Sequence, residues 1–471
     1  MYKSLLLFIG ACSLLGQAFA TPTWSLSETA RDNGKRLSTV PIPTRARTGN
    51  PVSTISIRID EATRLQQIEG FGGAITEASA YVLSKLPASK REEVLRGYYD
   101  PAKGIGYTLA RTHINSCDFS LNIWALDETP GDTELKDFSL APMRRWTLPL
   151  IHEAQAICGK DSFKLLASPW SPPAWMKSNG KMVDGGTLLP QYRDTWARYM
   201  VRFVEAMRDE EKIPVWALTV QNEPEATQIW ESCRFTGEEE RDFVGQHLGP
   251  ALHQAGLESV HLLGHDHNRD ILEARAKTML SDPKVAKYFW GMALHWYVSE
   301  DFPVCSRVHA TFPDKKIIFT EGCIEGGAKP GFWGAGERYA RNIIGDFRNH
   351  VAGWIDWNIA LDLKGGPNHV GNFCDAPVLV DTDKGTYSYQ SSFYYIGHFS
   401  RFVRTGAFCV RSEGGTDTLQ QIAFVNPDGG LVVVVLNLAD EEQLFTLDSA
   451  AGKLNCSIPA HGIQSYLRSV Q

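Results

Sequence analysis

The sequence contains no uninterrupted apolar stretch of the 18 or more residues that a membrane span needs, so no transmembrane segment is expected. The apolar run 431–438 is too short and reads as a strand. Basic residues are not in excess either: 47 Lys and Arg stand against 54 Asp and Glu, a formal charge of −7, and nowhere do they cluster. A nucleic-acid partner is therefore not expected. There is no C-x-x-C, which removes a zinc ribbon or a thiol redox motif. There is also no G-x-G-x-x-G: Gly70-Phe71-Gly72-Gly73-Ala74 has the wrong spacing for a dinucleotide turn and reads as a tight turn.

What is present is ordinary globular composition, 43% hydrophobic and 21% charged over 471 residues, enough for one large core and a smaller one. Residues 1–20 combine Lys3, an apolar stretch and Ala18-Phe19-Ala20, which predicts an export signal cleaved near Ala20 and a secreted or periplasmic product. Lipid anchoring at Cys12 is the competing reading. Removal of Cys12 leaves eight cysteines, an even number that permits disulfides but specifies no pairing.

Between residues 66 and 400, short apolar runs alternate with amphipathic stretches. Strands are predicted over 66–71, 107–113, 163–168, 215–221, 260–264, 291–296, 316–320 and 353–357. Helices are predicted over 192–208, 237–254 and 336–349, where apolar residues recur every three or four positions. Thr236 and the acidic residues after it suit a helix start. Eight strands alternating with helices favour a (β/α)8 TIM barrel over an open doubly wound sheet. Strand-like alternation at 54–59 and within 431–467 predicts a small side β-sandwich formed by both chain ends, from segments 21–65 and 401–471.

In a barrel, catalytic side chains come from the C-terminal ends of strands. Those ends carry Asp118, Trp170, Asn222-Glu223, His295-Trp296-Tyr297, Glu321 and Trp357-Asn358. Glu223 is delivered by the buried-strand pattern "ALTVQ" and followed at once by Pro224, which holds a carboxylate rigidly at a pocket mouth. Two carboxylates among aromatic rings fit glycoside hydrolysis. One acid protonates the leaving oxygen, a second carboxylate stabilises or traps the oxocarbenium-like centre, and the rings offer flat surface to a pyranose. No cofactor or metal is required. Plainer readings exist for each residue: Glu223 in a turn, Glu321 as a helix cap, the aromatics as core. His265-Asp266-His267 suggests a metal, but no third ligand is spaced for it, and a polar loop is the favoured reading.

Gly70 to Ala74, Ser116-Cys117-Asp118-Phe119-Ser120, Ser168-Pro169-Trp170, Asn222-Glu223-Pro224, His295-Trp296-Tyr297, Thr320-Glu321-Gly322, Asp356-Trp357-Asn358 and Gly365-Gly366-Pro367-Asn368, taken in order, resemble glycoside hydrolase family 30. The resemblance implies a retaining double displacement with Glu223 as general acid/base and Glu321 as nucleophile. By position it implies that Asp118, Trp170, Asn222, Trp357 and Asn372 hold the terminal glucose, with Asn222 on its 2-hydroxyl. Arg111, His295 and Tyr297 then orient and charge the glutamates. The expected partner is a carbohydrate: β-1,6-glucan or a related β-glucoside is preferred, because no lipid-binding surface is evident. Glucosylceramide is the alternative and a non-catalytic carbohydrate-binding barrel a further one.

Overall fold

The computed structural model describes residues 23–42 and 55–469. The export signal expected over 1–20 and Cys12 lie outside the described residues. Eight parallel strands close into a barrel: Gly70–Ala74, Leu109–Ile114, Lys164–Pro169, Val215–Thr219, His261–Asn268, Gly291–His295, Lys316–Glu321 and Val351–Asn358. They are called barrel strands one to eight below. Closure is made by strand eight against strand one, with Gly353 opposite Gly70 and Trp354 opposite Phe71.

One expectation fails at that seam. Gly70 to Ala74 is not a tight turn but strand one itself, and residues 66 and 67 end the long strand Ser56–Gln67 of the other sheet. Crowding accounts for the glycines. A Cβ on Gly72 would lie 2.0 Å from the carbonyl oxygen of Leu109 on the neighbouring strand, a distance no side chain tolerates. Beneath the catalytic end, the interior is filled by a layer of Leu109, Leu166, Ala217, Leu263, Ala293, Ile318, Ala352 and Ile355.

The three predicted helices form with shifted ends. Arg193–Asp209 buries Trp196, Tyr199, Met200, Phe203, Val204 and Met207 along one face. Thr236 starts the next helix through a capping box with Glu239, and a π-helical segment, Val244–Leu248, separates Gly237–Phe243 from Gly249–Gln254. Trp333–Arg348 starts three residues earlier than its periodicity implied.

Strands from both chain ends share one nine-stranded sheet that includes Trp24–Ala30 and Ser56–Gln67 with six strands from 408 onward. Leu431–Asn437 is buried on both faces. Val433 and Val435 pack into the sandwich core, while Val432, Val434 and Leu436 pack into the barrel's core. His398 fastens the two units, with Nδ1 at 2.8 Å from Ser465 Oγ and Nε2 at 2.9 Å from Thr29 Oγ1. All eight described cysteines are buried and free. Among the described residues no helix is long and apolar enough to cross a membrane.

The close approach between strands one and two gives a test of this packing. Gly72→Ala is expected to destabilise the chain by about 3 kcal/mol or more, at the upper end of overpacking costs. Thermal melting of the variant alongside the parent measures it, and coincident melting curves would rule out the contact.

Candidate active site

Strand four ends at Thr219, and the chain continues through Gln221, Asn222 and Glu223. Two hydrogen bonds steer it: Asn222 N donates to Pro169 O at 2.8 Å and Glu223 N to Asp266 O at 2.9 Å. Glu223 adopts a left-handed backbone, φ 46°. Asp266 (φ 44°) and His265 (φ 75°) do the same on strand five, where the register against strand six slips by one residue. Asp266 is the extra residue of that bulge. Each left-handed non-glycine costs roughly 1–3 kcal/mol, and bulges beside active sites commonly re-aim side chains.

The bulge sends Asp266 to Arg111, a guanidinium on strand two that is fully buried. Arg111 donates to Glu321 Oε2, to Asn222 Oδ1 at 2.7 Å, to Asp266 Oδ2 at 2.9 Å and to Ser168 Oγ at 3.1 Å. Its Cζ lies 4.8 Å from the Trp170 ring centre. Glu321, at the end of strand seven, accepts a second hydrogen bond from Tyr297 Oη at 2.9 Å. His295 bridges the acids: Nδ1 is 3.3 Å from Glu223 Oε1 and 4.0 Å from Glu321 Oε1, and Nε2 is 3.1 Å from Asp266 Oδ1. Thr320 Oγ1 donates to the same Asp266 oxygen at 2.7 Å.

Above this network lies a cavity of about 170 Å³. Asp118, Trp170, Asn222, Glu223, Tyr297, Glu321, Trp357 and Asn372 all line it. Trp170 and Trp357 stack at 5.3 Å and 24°, and Asn372 Nδ2 donates to Asp118 Oδ2 at 3.0 Å. Every site residue expected from sequence is thus gathered at one place. Arg111 and His295 lie beneath the cavity rather than on its wall, fully buried.

Sequence reasoning set aside two participants, Asp266 and His267. His265 does behave as a structural residue, with Nε2 3.0 Å from Asn268 O. His267, however, faces the cavity with Nδ1 3.7 Å from Glu223 Oε1. The third metal ligand that sequence spacing did not supply comes from other strands: Glu223, His267 and His295 each present a ligand atom within 4.8 Å of the others. Trp230, Gln228 and Cys323 also line the cavity unforeseen.

Charge is distributed unevenly. Burial lowers the His295 ring, but the Glu321 charge and hydrogen bonds to Asp266 and Glu223 outweigh it and push the ring up to about 9. Burial raises Glu223, yet His267 and His295 hold its carboxyl below the ordinary range. The general-acid role that the family resemblance implies for Glu223 calls for a proton on this carboxyl. The lowered Glu223 and raised His295 together favour a carboxylate beside an imidazolium. Burial also raises Asp266, but Arg111 and His295 hold it well below the ordinary carboxylate range. Burial and the Glu321 charge push Asp118 up to about 8.

These shifts set the pH dependence of stability. The raised groups stabilise the fold fully below their unfolded values, about 6.5 for His295 and 3.8 for Asp118, and that contribution is lost as pH rises through about 9 and about 8. The depressed carboxyls Glu223 and Asp266 contribute above the ordinary carboxyl range and lose it only in strong acid. The melting temperature is expected to be highest at weakly acidic pH and to fall toward about pH 9, the His295 shift alone being worth about 3 kcal/mol. A melting temperature that climbs steadily from acid to about pH 9 contradicts this assignment.

Comparison with known proteins agrees with the geometry. Residues 68–403 match the glycosyl hydrolase family 30 TIM-barrel domain, and residues 406–466 match the family 30 β-sandwich domain. The chain is 37% identical to the mouse lysosomal acid glucosylceramidase over 86% of its own length and 81% of that protein's. It is 29% identical to the endo-1,6-β-D-glucanase of Neurospora crassa over 94% and 93%. Among solved structures, SrfJ from Salmonella typhimurium superposes with a TM-score of 0.89 at 33% identity, covering 95% of this chain and 100% of that one. The endo-β1,6-glucanase BT3312 superposes at 0.84 and 28%, with the same coverage. A closed eight-stranded barrel, a side sandwich and paired strand-end glutamates therefore come together in a chain that belongs to glycosyl hydrolase family 30.

Proposed function

We propose that the chain cleaves terminal β-D-glucosidic bonds with retention of configuration, with Glu321 as nucleophile and Glu223 as acid/base. The observation that carries this is the shared imidazole. Both carboxylates lie within 4.0 Å of His295 Nδ1, which brings them within reach of the about 5–5.5 Å separation that double displacement requires. The cavity of about 170 Å³ suits a single sugar ring. Trp170 and Trp357 give it an apolar wall, and Asp118, Asn372 and Asn222 give it hydroxyl-binding edges.

Arg111 and the Tyr297 hydroxyl hold the two Glu321 oxygens, so the carboxylate is aimed without freedom to rotate. As Glu321 attacks the anomeric carbon, the aglycone oxygen takes a proton from Glu223, which draws on the proton it shares with His295. Forming the glycosyl ester removes the Glu321 charge and with it the strongest influence holding a proton on His295. Glu223 then accepts a proton from water as that water displaces Glu321.

An apolar rim bears on the aglycone. All six exposed large apolar side chains among the described residues, Ile123, Ile229, Val298, Phe332, Leu363 and Phe373, lie on loops that follow barrel strands two, four, six, seven and eight, at the end where the cavity opens. None is on the outer helices or the sandwich. This pattern favours an amphipathic β-glucoside of the glucosylceramide kind, against the sequence-based preference for β-1,6-glucan, which rested on seeing no such surface. β-1,6-Glucan is the second reading, supported by the glucanase relatives.

Glu321→Gln is expected to lose about three orders of magnitude or more in kcat on an aryl β-glucoside, and azide is expected to rescue Glu321→Gly with inverted product. Undiminished turnover by Glu321→Gln would end the assignment. For the aglycone, Ile229→Asp combined with Val298→Asp is expected to cut glucosylceramide turnover in vesicles about tenfold or more while sparing the aryl glucoside. Equal loss on both, or turnover of β-1,6-glucan alone, shifts the substrate to the glucan.

A further inference from the structure

The pocket holds a ligand set that the hydrolytic reading does not use as such. Glu223 Oε1 is 3.3 Å from His295 Nδ1 and 3.7 Å from His267 Nδ1, and each of the three residues offers a ligand atom within 4.8 Å of the other two. Around a tetrahedral ion with bonds of 2.0–2.2 Å, neighbouring ligand atoms stand about 3.4 Å apart. Two of the three separations already match that spacing. The third, between His267 and His295, is within 4.8 Å and closes by a turn of the His267 ring, which is 13% exposed and faces the cavity.

The surroundings favour a cation. Glu223, Glu321 and Asp266 bring three carboxylates to the cluster, against the single guanidinium of Arg111 and the His295 ring. The second nitrogen of His295 meets Asp266, the carboxylate–histidine arrangement that orients metal-binding imidazoles. The open side of the cavity leaves the fourth position to water. Two nitrogens and one oxygen select a late first-row divalent ion such as Zn2+ or Cu2+, not Mg2+ or Ca2+, which prefer oxygen.

We propose that Glu223, His267 and His295 form an inhibitory site for a late first-row divalent cation. The ion coordinates the carboxylate oxygen that must exchange a proton with the aglycone and so stops turnover while bound. His267 is the ligand to vary, since it stands 3.7 Å from Glu223 while Glu223 and His295 serve hydrolysis directly.

The test uses the full chain stripped with chelator. Calorimetric titration with Zn2+ is expected to show one equivalent bound, Mg2+ none, and electron paramagnetic resonance of the Cu2+ form to show coupling to two nitrogens. Aryl β-glucosidase activity falls in proportion to occupancy and returns with chelator. His267→Gln and His267→Asn, two variants in case one fails to fold, are expected to weaken Zn2+ binding about tenfold or more. The binding arms stand without any turnover, so a failure of the glycosidase reading leaves them intact and is told apart from a failure of the site. The site is overturned if Zn2+ gives no binding up to millimolar concentration, if both His267 variants bind it as the parent does, or if saturation leaves turnover unchanged.

Discussion

Everything at the mouth of this barrel depends on keeping Arg111 charged and dry. Three carboxylates converge there within a low-dielectric wall, and without a buried counter-charge they could not all ionise. Arg111 meets the requirement through its planar fork, whose separate edges reach Glu321, Asn222, Asp266 and Ser168 at once. A lysine could not spread over four acceptors on four different strands. His295 supplies the second positive charge and couples the two glutamates through one ring. Glu321, Glu223 and the Trp170–Trp357 wall are therefore one electrostatic unit.

The backbone stores part of the cost. Glu223 and Asp266 are both left-handed and are joined by the hydrogen bond from Glu223 N to Asp266 O, so the strain of strand four's end and of strand five's bulge is held in place mutually. Below them, the layer of leucine, isoleucine and alanine side chains gives these strand ends a rigid floor. The side sheet adds support from outside, since Leu431–Asn437 packs one face into the barrel's core. Rigidity suits a site in which Glu321 accepts two fixed hydrogen bonds before any substrate arrives.

The barrel was legible because most of its strands are short apolar runs buried on both faces, and seven of the eight form over the runs expected for them. The strand-end residues Glu223 and Glu321 followed from that, since a polar residue closing a buried strand has one place to point. Strand one was misread because its glycines imitate a turn; crowding by Thr108 at Gly70, the Leu109 carbonyl at Gly72 and Ile359 at Gly73 explains them. Asp266 and His267 were missed for a similar reason. Period-two alternation puts His265 and His267 on one face, whereas the bulge turns three consecutive residues to three different partners. The exposed apolar side chains escaped notice because single residues on separate loops carry no pattern in sequence and come to one end only when the barrel gathers those loops.

The most direct test of the account is to trap the covalent intermediate. A 2-deoxy-2-fluoro β-glucoside with an activated leaving group, incubated with the intact chain, forms the glycosyl-enzyme faster than it hydrolyses, and peptide mapping by mass locates the sugar. The account predicts one fluoroglucosyl group esterified to Glu321, with adduct formation slowed by replacing Arg111 or Tyr297. An adduct on another residue, or steady turnover of ordinary β-glucosides with inversion and no adduct, contradicts it.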